Sequence, residues 1–135
     1  MYIKTNDIKE VTIPSPYRRT VKILSSPDIV DVTTTRFTMG ISTIPAGSKT
    51  ESHAHEGTEE CIYVLSGQGE CEVAEKKFKV EQNDLILAKP GQDHQFFNNF
   101  KKPLKLLWVY APPGAEKKLL EASRKSPTGT NCTES

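Results

Sequence analysis

The sequence predicts an all-β domain, an antiparallel sandwich or closed barrel, on three observations. Between Val21 and Ala111, short runs rich in β-branched and aromatic residues follow one another: TVKIL, DIVDVTTTRFTMGISTI, ECIYVLSG, GECEVA, KKFKV, DLILA, HQFFN and LKLLWVYA. Turn-forming stretches punctuate them, namely PAGS at Pro45 to Ser48, EGT at Glu56 to Thr58, SGQG at Ser66 to Gly69, EQND at Glu81 to Asp84 and KPGQD at Lys89 to Asp93. No helical repeat separates the runs, which sets aside an alternating α/β architecture.

The elements follow in order. Residues 1–20 read as an N-terminal strand or arm, with more β-branched residues than a free tail needs, and the expectation is that this segment pairs across a homodimer interface. Residues 21–114 form the β-domain. After Pro112-Pro113-Gly114, AEKKLLEASRK is rich in helix formers and predicts a short helix over 115–125. The polar stretch 126–135 carries Pro and Gly and is expected to be a disordered tail, with Cys132 incidental in it.

A chain of 135 residues has the size of one domain, so one core and one site are expected. Lys plus Arg number 18 against 17 for Asp plus Glu, which leaves no cationic excess to hold a nucleic acid or an anionic membrane surface. No apolar run approaches the ~20 residues of a membrane span, and MYIKTNDIKEV lacks the apolar stretch of a secretory signal. Three cysteines, Cys61, Cys71 and Cys132, make neither an even disulfide set nor a CxxC pair. These readings together give the expectation of a cytoplasmic protein.

The chemistry concentrates in GSKTESHAHEGTEECIYVLSG, Gly47 to Gly67. His53 and His55 are two apart, so an extended backbone puts both imidazoles on one side and Ala54 on the other, the spacing that chelates one ion. A turn through Glu56, Gly57 and Thr58 then brings a carboxylate from the next strand beside them. Glu59 and Glu60 compete for that role: Glu60 shares its face with Ile62 and Val64, Glu59 with Cys61, Tyr63 and Leu65.

Gly47-x5-His53-x-His55-x4-Glu60-x6-Gly67 resembles the first conserved motif of the cupin superfamily, and that register selects Glu60. A second segment, NDLILAKPGQDHQFFN from Asn83 to Asn98, is similar to the second cupin motif through Gly91-x2-His94-x3-Asn98. It departs from it at Asn83, where the family has glycine, and at Lys89, where the family has proline and this chain places Pro90 one residue later. Asn tolerates the left-handed backbone that glycine would supply there. The resemblance covers roughly Gly40 to Tyr110 and implies a double-stranded β-helix, the RmlC-like jelly-roll barrel. It also implies one divalent metal ion held by His53, His55, Glu60 and His94.

Three imidazoles and a carboxylate without thiolate suit Mn, Fe, Ni, Co or Zn, with Fe or Mn favoured by family analogy. Four protein donors around an ion that accepts six leave positions for a small-molecule ligand. By strand parity Ile62, Val64 and Phe96, together with Trp108, are expected to wall the pocket. On TTTRFTMGIST, Arg36, Thr38, Gly40 and Ser42 share one face and Phe37, Met39 and Ile41 the other; were the polar face inward, Arg36 would be placed to clamp a substrate carboxylate. Tyr63, Tyr110 and Glu59 are the candidate acids or bases near the metal. The functional expectation is a metal-dependent enzyme, a dioxygenase or a redox-neutral isomerase, decarboxylase or lyase, acting on a small oxygenated metabolite. The competing expectation is a non-catalytic small-molecule or metal-binding module.

Overall fold

A computed structural model describes residues 1–124; the expected tail 126–135, with Cys132, lies outside the described residues. The strands are β1 (Glu10–Ile13), β2 (Arg19–Ser25), β3 (Thr38–Ile44), β4 (Glu59–Ser66), β5 (Gln68–Val73), β6 (Lys76–Glu81), β7 (Leu85–Ala88), β8 (His94–Phe97) and β9 (Leu104–Ala111), followed by the helix α1 (Glu116–Ser123). They form a six-stranded sheet in the order β1-β2-β3-β9-β4-β7 and a three-stranded sheet in the order β6-β5-β8. Neighbours pair antiparallel throughout. The result is a jelly roll.

Alternation along the strands decides what lies between the sheets. Thr38, Gly40, Ser42 and Ile44 of β3 are buried, as are Leu104, Leu106, Trp108 and Tyr110 of β9 and Glu60, Ile62 and Val64 of β4. Cys71 and Phe96 from the smaller sheet join them in one cluster. Each fully buried Ile, Val or Phe contributes on the order of 1.5–3 kcal/mol, so this shared interior holds the two sheets together. At the end away from the histidines the layers approach closely. Gly67 has φ +88°, and a Cβ there would lie 2.2 Å from the carbonyl oxygen of Pro103. Asn83 adopts φ +75°, the left-handed backbone for which Asn substitutes for Gly. Asn98 is fully buried and works as a brace: its Nδ2 donates to the carbonyls of Ile44 (2.9 Å) and Lys102 (2.8 Å), and its Oδ1 accepts from Phe100 N–H at 3.0 Å.

One expectation changes. The run DIVDVTTTRFTMGISTI is extended only in its second half: Val30–Val32 is a 3-10 turn and β3 begins at Thr38. Side chains there satisfy the backbone locally, with Ser26 Oγ accepting from Asp28 N–H, Thr33 Oγ1 donating to Ile29 O and Thr34 Oγ1 donating to Phe37 O. Such bonds compete with a sheet ladder. In the N-terminal segment, Glu10–Ile13 pairs with Arg19–Lys22 in a hairpin. Its other edge ends the sheet.

Candidate metal centre

Three segments meet at one mouth of the barrel. The stretch carrying His53 and His55 runs beside β8, and a reciprocal pair of backbone hydrogen bonds, His53 N–H to His94 O (3.2 Å) and His94 N–H to His53 O (2.9 Å), fixes the register that puts the two histidines side by side. Gly91 N–H donates to His55 O at 3.1 Å, which ties down the next residue pair. Gly57, at φ +70°, then turns the chain into β4, whose second residue is Glu60.

The side chains converge as the spacing requires. Ring centroids of His53 lie 4.7 Å from those of His55 and 4.3 Å from those of His94. Glu60 Oε1 is 3.1 Å from His94 Nε2 and 3.9 Å from His55 Nε2. One donor atom from each of His53, His55, Glu60 and His94 falls within 4.8 Å of all the others. Donors at about 2.1 Å from a common ion are at most about 4.2 Å apart, so small side-chain rotations bring this set onto one ion. Glu59 and Tyr63 point to the opposite face of β4 and are exposed, so the carboxylate in the cluster is that of Glu60.

The hydrogen bonds prepare the histidines as ligands. His53 Nδ1 lies 3.0 Å from Glu51 O and His94 Nδ1 3.3 Å from Gln92 O, carbonyls two residues upstream in each case. A proton on Nδ1 directed at a carbonyl leaves the Nε2 lone pair free, the outer-shell arrangement that orients metal-binding imidazoles. Burial lowers the pKa of His53, and the neighbouring His94 lowers it further. Burial also lowers that of His55, against the pull of Glu60 and with the help of His94 and Lys118. For His94 burial acts in the same direction, but the hydrogen bond and charge of Glu60 outweigh it and the pKa rises. His94 and Glu60 are only 4% and 8% exposed.

The cluster opens into a pocket of about 420 Å³. Ile62, Phe96, Leu106 and Trp108 wall it from the sheets, and Ala115, just before α1, and Leu119 and Ala122 within it line the opposite side. Trp108 donates from Nε1 to Ser42 Oγ at 2.9 Å and stacks on Tyr110 with ring centroids 5.3 Å apart. A wider depression of about 1050 Å³ between the N-terminal residues and α1 contains none of the histidines.

Several expected residues stand elsewhere. Val64 is fully buried among core side chains, one step too deep to reach the pocket. Arg36 precedes β3 in the irregular stretch and is exposed, so although the polar face of β3 does point inward, its arginine does not. Tyr63 lies on the outer face, with its hydroxyl donating to Asn83 Oδ1 at 2.8 Å. Tyr110 reaches the pocket, its ring 5.8 Å from that of His55, but its hydroxyl donates to Glu116 Oε1 at 2.8 Å. Burial raises the Tyr110 pKa and Glu116 raises it further, so the phenol stays protonated.

Arg19 and Glu116 were missed from the sequence. Arg19 lines the pocket at 4% exposure, 3.5 Å from Glu51 Oε1, with Nη1 donating to Tyr17 O at 2.9 Å. Burial lowers the pKa of its guanidinium, against the pull of Glu51. Its alternation with Val21 and Ile23 in RTVKIL was the available signal. Glu116 is fully buried and accepts from Ser26 Oγ (2.5 Å), Thr38 Oγ1 (2.9 Å), Tyr110 Oη and Gly114 N–H (2.8 Å). No local pattern marks it, since two of its four donors, Ser26 and Thr38, come from the distant N-terminal third of the chain.

The model for the cupin domain family matches residues 40–110, just over half of the chain. The chain is a cupin. A protein of Methanocaldococcus jannaschii described as "Uncharacterized protein MJ1618" is 39% identical to this cupin over 70 residues, 52% of this chain and 56% of that protein. The match thus spans little more than half of its relative's length. Among solved structures, a predicted oxalate decarboxylase from Thermotoga maritima superposes with a TM-score of 0.74 at 22% identity, covering 83% of this chain and 99% of that one. KdgF from Halomonas sp. gives a TM-score of 0.73 at 15% identity, covering 87% and 97%. At these identities the likeness is one of fold. Among the described residues no helix is long and apolar enough to cross a membrane.

Proposed function

We propose that this cupin is a metal-dependent enzyme whose substrate, a small oxygenated anion or enolisable carbonyl compound, coordinates the ion directly. The observation that carries this reading is the position of the His53, His55, Glu60 and His94 cluster at the floor of an apolar-walled pocket large enough for a small metabolite. A divalent ion there would polarise a bound carbonyl or carboxylate, or lower the pKa of bound water. Fe or Mn is the favoured ion, with Zn, Ni and Co also suited to the donor set. The chain's own contribution is fixed geometry and an apolar flank to the cluster. Nδ1 contacts hold His53 and His94, and Trp108, Phe96 and Ile62 present apolar surface beside the cluster, which strengthens the ion's hold on charge at a bound oxygen.

A second reading, a binding module that captures a ligand without converting it, is favoured by one observation. The hydroxyl of Tyr110, the phenol nearest the cluster, is committed to Glu116. The two readings separate in one experiment. The protein is loaded in turn with Mn, Fe, Ni, Co and Zn and given a panel of keto acids, diketones and hydroxy acids, with binding and turnover followed together. Turnover that disappears in Glu60→Gln supports the enzyme, whereas tight binding without turnover under every metal establishes the module.

A further inference from the structure

Arg19 is an unusual residue to find in a pocket wall. It is 4% exposed, on a strand whose other inward residues, Val21 and Ile23, are core aliphatics. A buried guanidinium is costly unless well paired; here Nη1 donates to Tyr17 O at 2.9 Å, but the carboxylate partner, Glu51, is held loosely. The contact to Glu51 is 3.5 Å, beyond the ~2.8 Å of a charge-assisted hydrogen bond, and the Glu51 side chain is 49% exposed. Glu51 therefore retains much of its hydration and holds Arg19 weakly. The same residue adjoins the metal cluster, because its carbonyl oxygen is the one 3.0 Å from His53 Nδ1. A single residue thus separates the arginine from a metal-ligating imidazole, and both face one cavity.

The charges point the same way. Lys118 of α1 also lines the pocket and acts on His55. With a divalent ion in place, the positive charges of the ion, Arg19 and Lys118 exceed the negative charges of Glu60 and Glu51 by two. Lys118 and Glu51 are exposed and screened by water, so the buried Arg19 is the cation that a ligand binding only through one monoanionic group would leave without a close anion.

We propose that Arg19 anchors a second carboxylate of the ligand, so that the site takes a small dianion with one end on the metal and the other in a two-pronged salt bridge to Arg19 that replaces Glu51. This rests on the reading that the ligand coordinates the metal directly. The planar guanidinium fork matches a carboxylate in a way Lys does not, and the exchange substitutes a bidentate partner for a distant, half-exposed one.

The test is calorimetric titration of protein loaded with Mn2+ or Zn2+, and of the metal-free protein, with two sets of probes sharing one chelating head. Lactate and 2-hydroxybutyrate carry only the head; malate, 2-hydroxyglutarate and 2-hydroxyadipate add a carboxylate on tails of increasing length. At least one diacid is expected to bind about tenfold or more tightly than the monoacids. Arg19→Gln is expected to remove that preference, and Arg19→Lys to restore part of it. Arg19 is buried and its variants can lose the fold, which circular dichroism detects, so Glu51→Gln provides the independent arm. It keeps the backbone carbonyl that holds His53 while weakening the competitor, and is expected to raise the diacid preference several-fold. Monoacids that bind only the loaded protein, with no diacid preference in the wild type or in Glu51→Gln, would overturn the role of Arg19 and leave metal coordination standing. Monoacid binding equal with and without metal would instead overturn direct coordination itself.

Discussion

Glu116 ties the pocket's closing helix to the barrel, and its replacement by glutamine tests how strongly. One carboxylate oxygen accepts from Ser26 Oγ and Thr38 Oγ1, the other from Tyr110 Oη and Gly114 N–H. Burial alone would raise its pKa, but the hydrogen bonds from Ser26, Tyr110 and Gly114 outweigh it and hold the pKa down to about 2, against an ordinary value of 4.5. A displacement of that size corresponds to about 3 kcal/mol of stability at neutral pH. A carboxyl whose folded pKa is depressed contributes fully above its unfolded pKa and loses the contribution as pH falls through its folded one. Glu116→Gln keeps the shape but removes the charge, and its amide retains only one accepting oxygen. The hydroxyls of Ser26 and Thr38 can turn to accept from the amide, whereas Tyr110 and Gly114 keep a neutral carbonyl. At pH 7 the variant is expected to be less stable by about 3 kcal/mol, which is a shift of roughly 1.5 M in urea midpoint. Trp108, the single tryptophan, reports the transition. Between pH 4.5 and pH 2 the gap is expected to close as wild-type Glu116 takes up its proton. A midpoint shift at pH 7 under about 0.3 M, or a gap that persists unchanged to pH 2, would refute the assignment of Glu116 as the anchor.

Two further outcomes follow from the same geometry. Because the pKa of His94 is raised while those of His53 and His55 are lowered, metal binding just above pH 6.5 is expected to displace mainly the one proton held on His94. Metal affinity is then expected to rise with pH through that range and more steeply below it, and Glu60→Gln to move the onset to lower pH; an affinity independent of pH there would contradict the His94–Glu60 pairing. In Gly40→Ala the new Cβ would stand 2.4 Å from Trp108 Cζ2 and 2.9 Å from the carbonyl of Lys22. A loss of about 1–3 kcal/mol is expected, with a changed Trp108 emission as the ring leaves its stack on Tyr110; unaltered emission and stability would show that the strand gives way instead.

The sequence by itself determined the all-β class and the pairing of His53 with His55, for physical reasons that are local, while Glu60 and His94 joined the cluster through the resemblance of their two segments to the cupin motifs. Strand alternation places His53 and His55 on one side whatever surrounds them, and turn residues such as Asn83 and Gly57 declare their backbone directly. The choice of Glu60 over Glu59 needed the motif's register, because both faces of β4 carry residues a barrel interior would accept. What only the tertiary structure decided is everything that depends on which distant segments meet. Arg36 and Arg19 are both arginines near a strand start, yet the local hydroxyl bonds of Thr33 and Thr34 leave the first outside the sheet, while pairing with β1 and β3 carries the second inward. Tyr110 was legible as an inward tyrosine, but its hydroxyl could be assigned only once Glu116 was seen beside it, since that carboxylate is surrounded by groups from Ser26, Thr38, Tyr110 and Gly114 that no window of sequence contains together. Polarity along one strand fixes which side a residue faces; the charge and hydrogen bonds it meets there are set by the elements packed opposite.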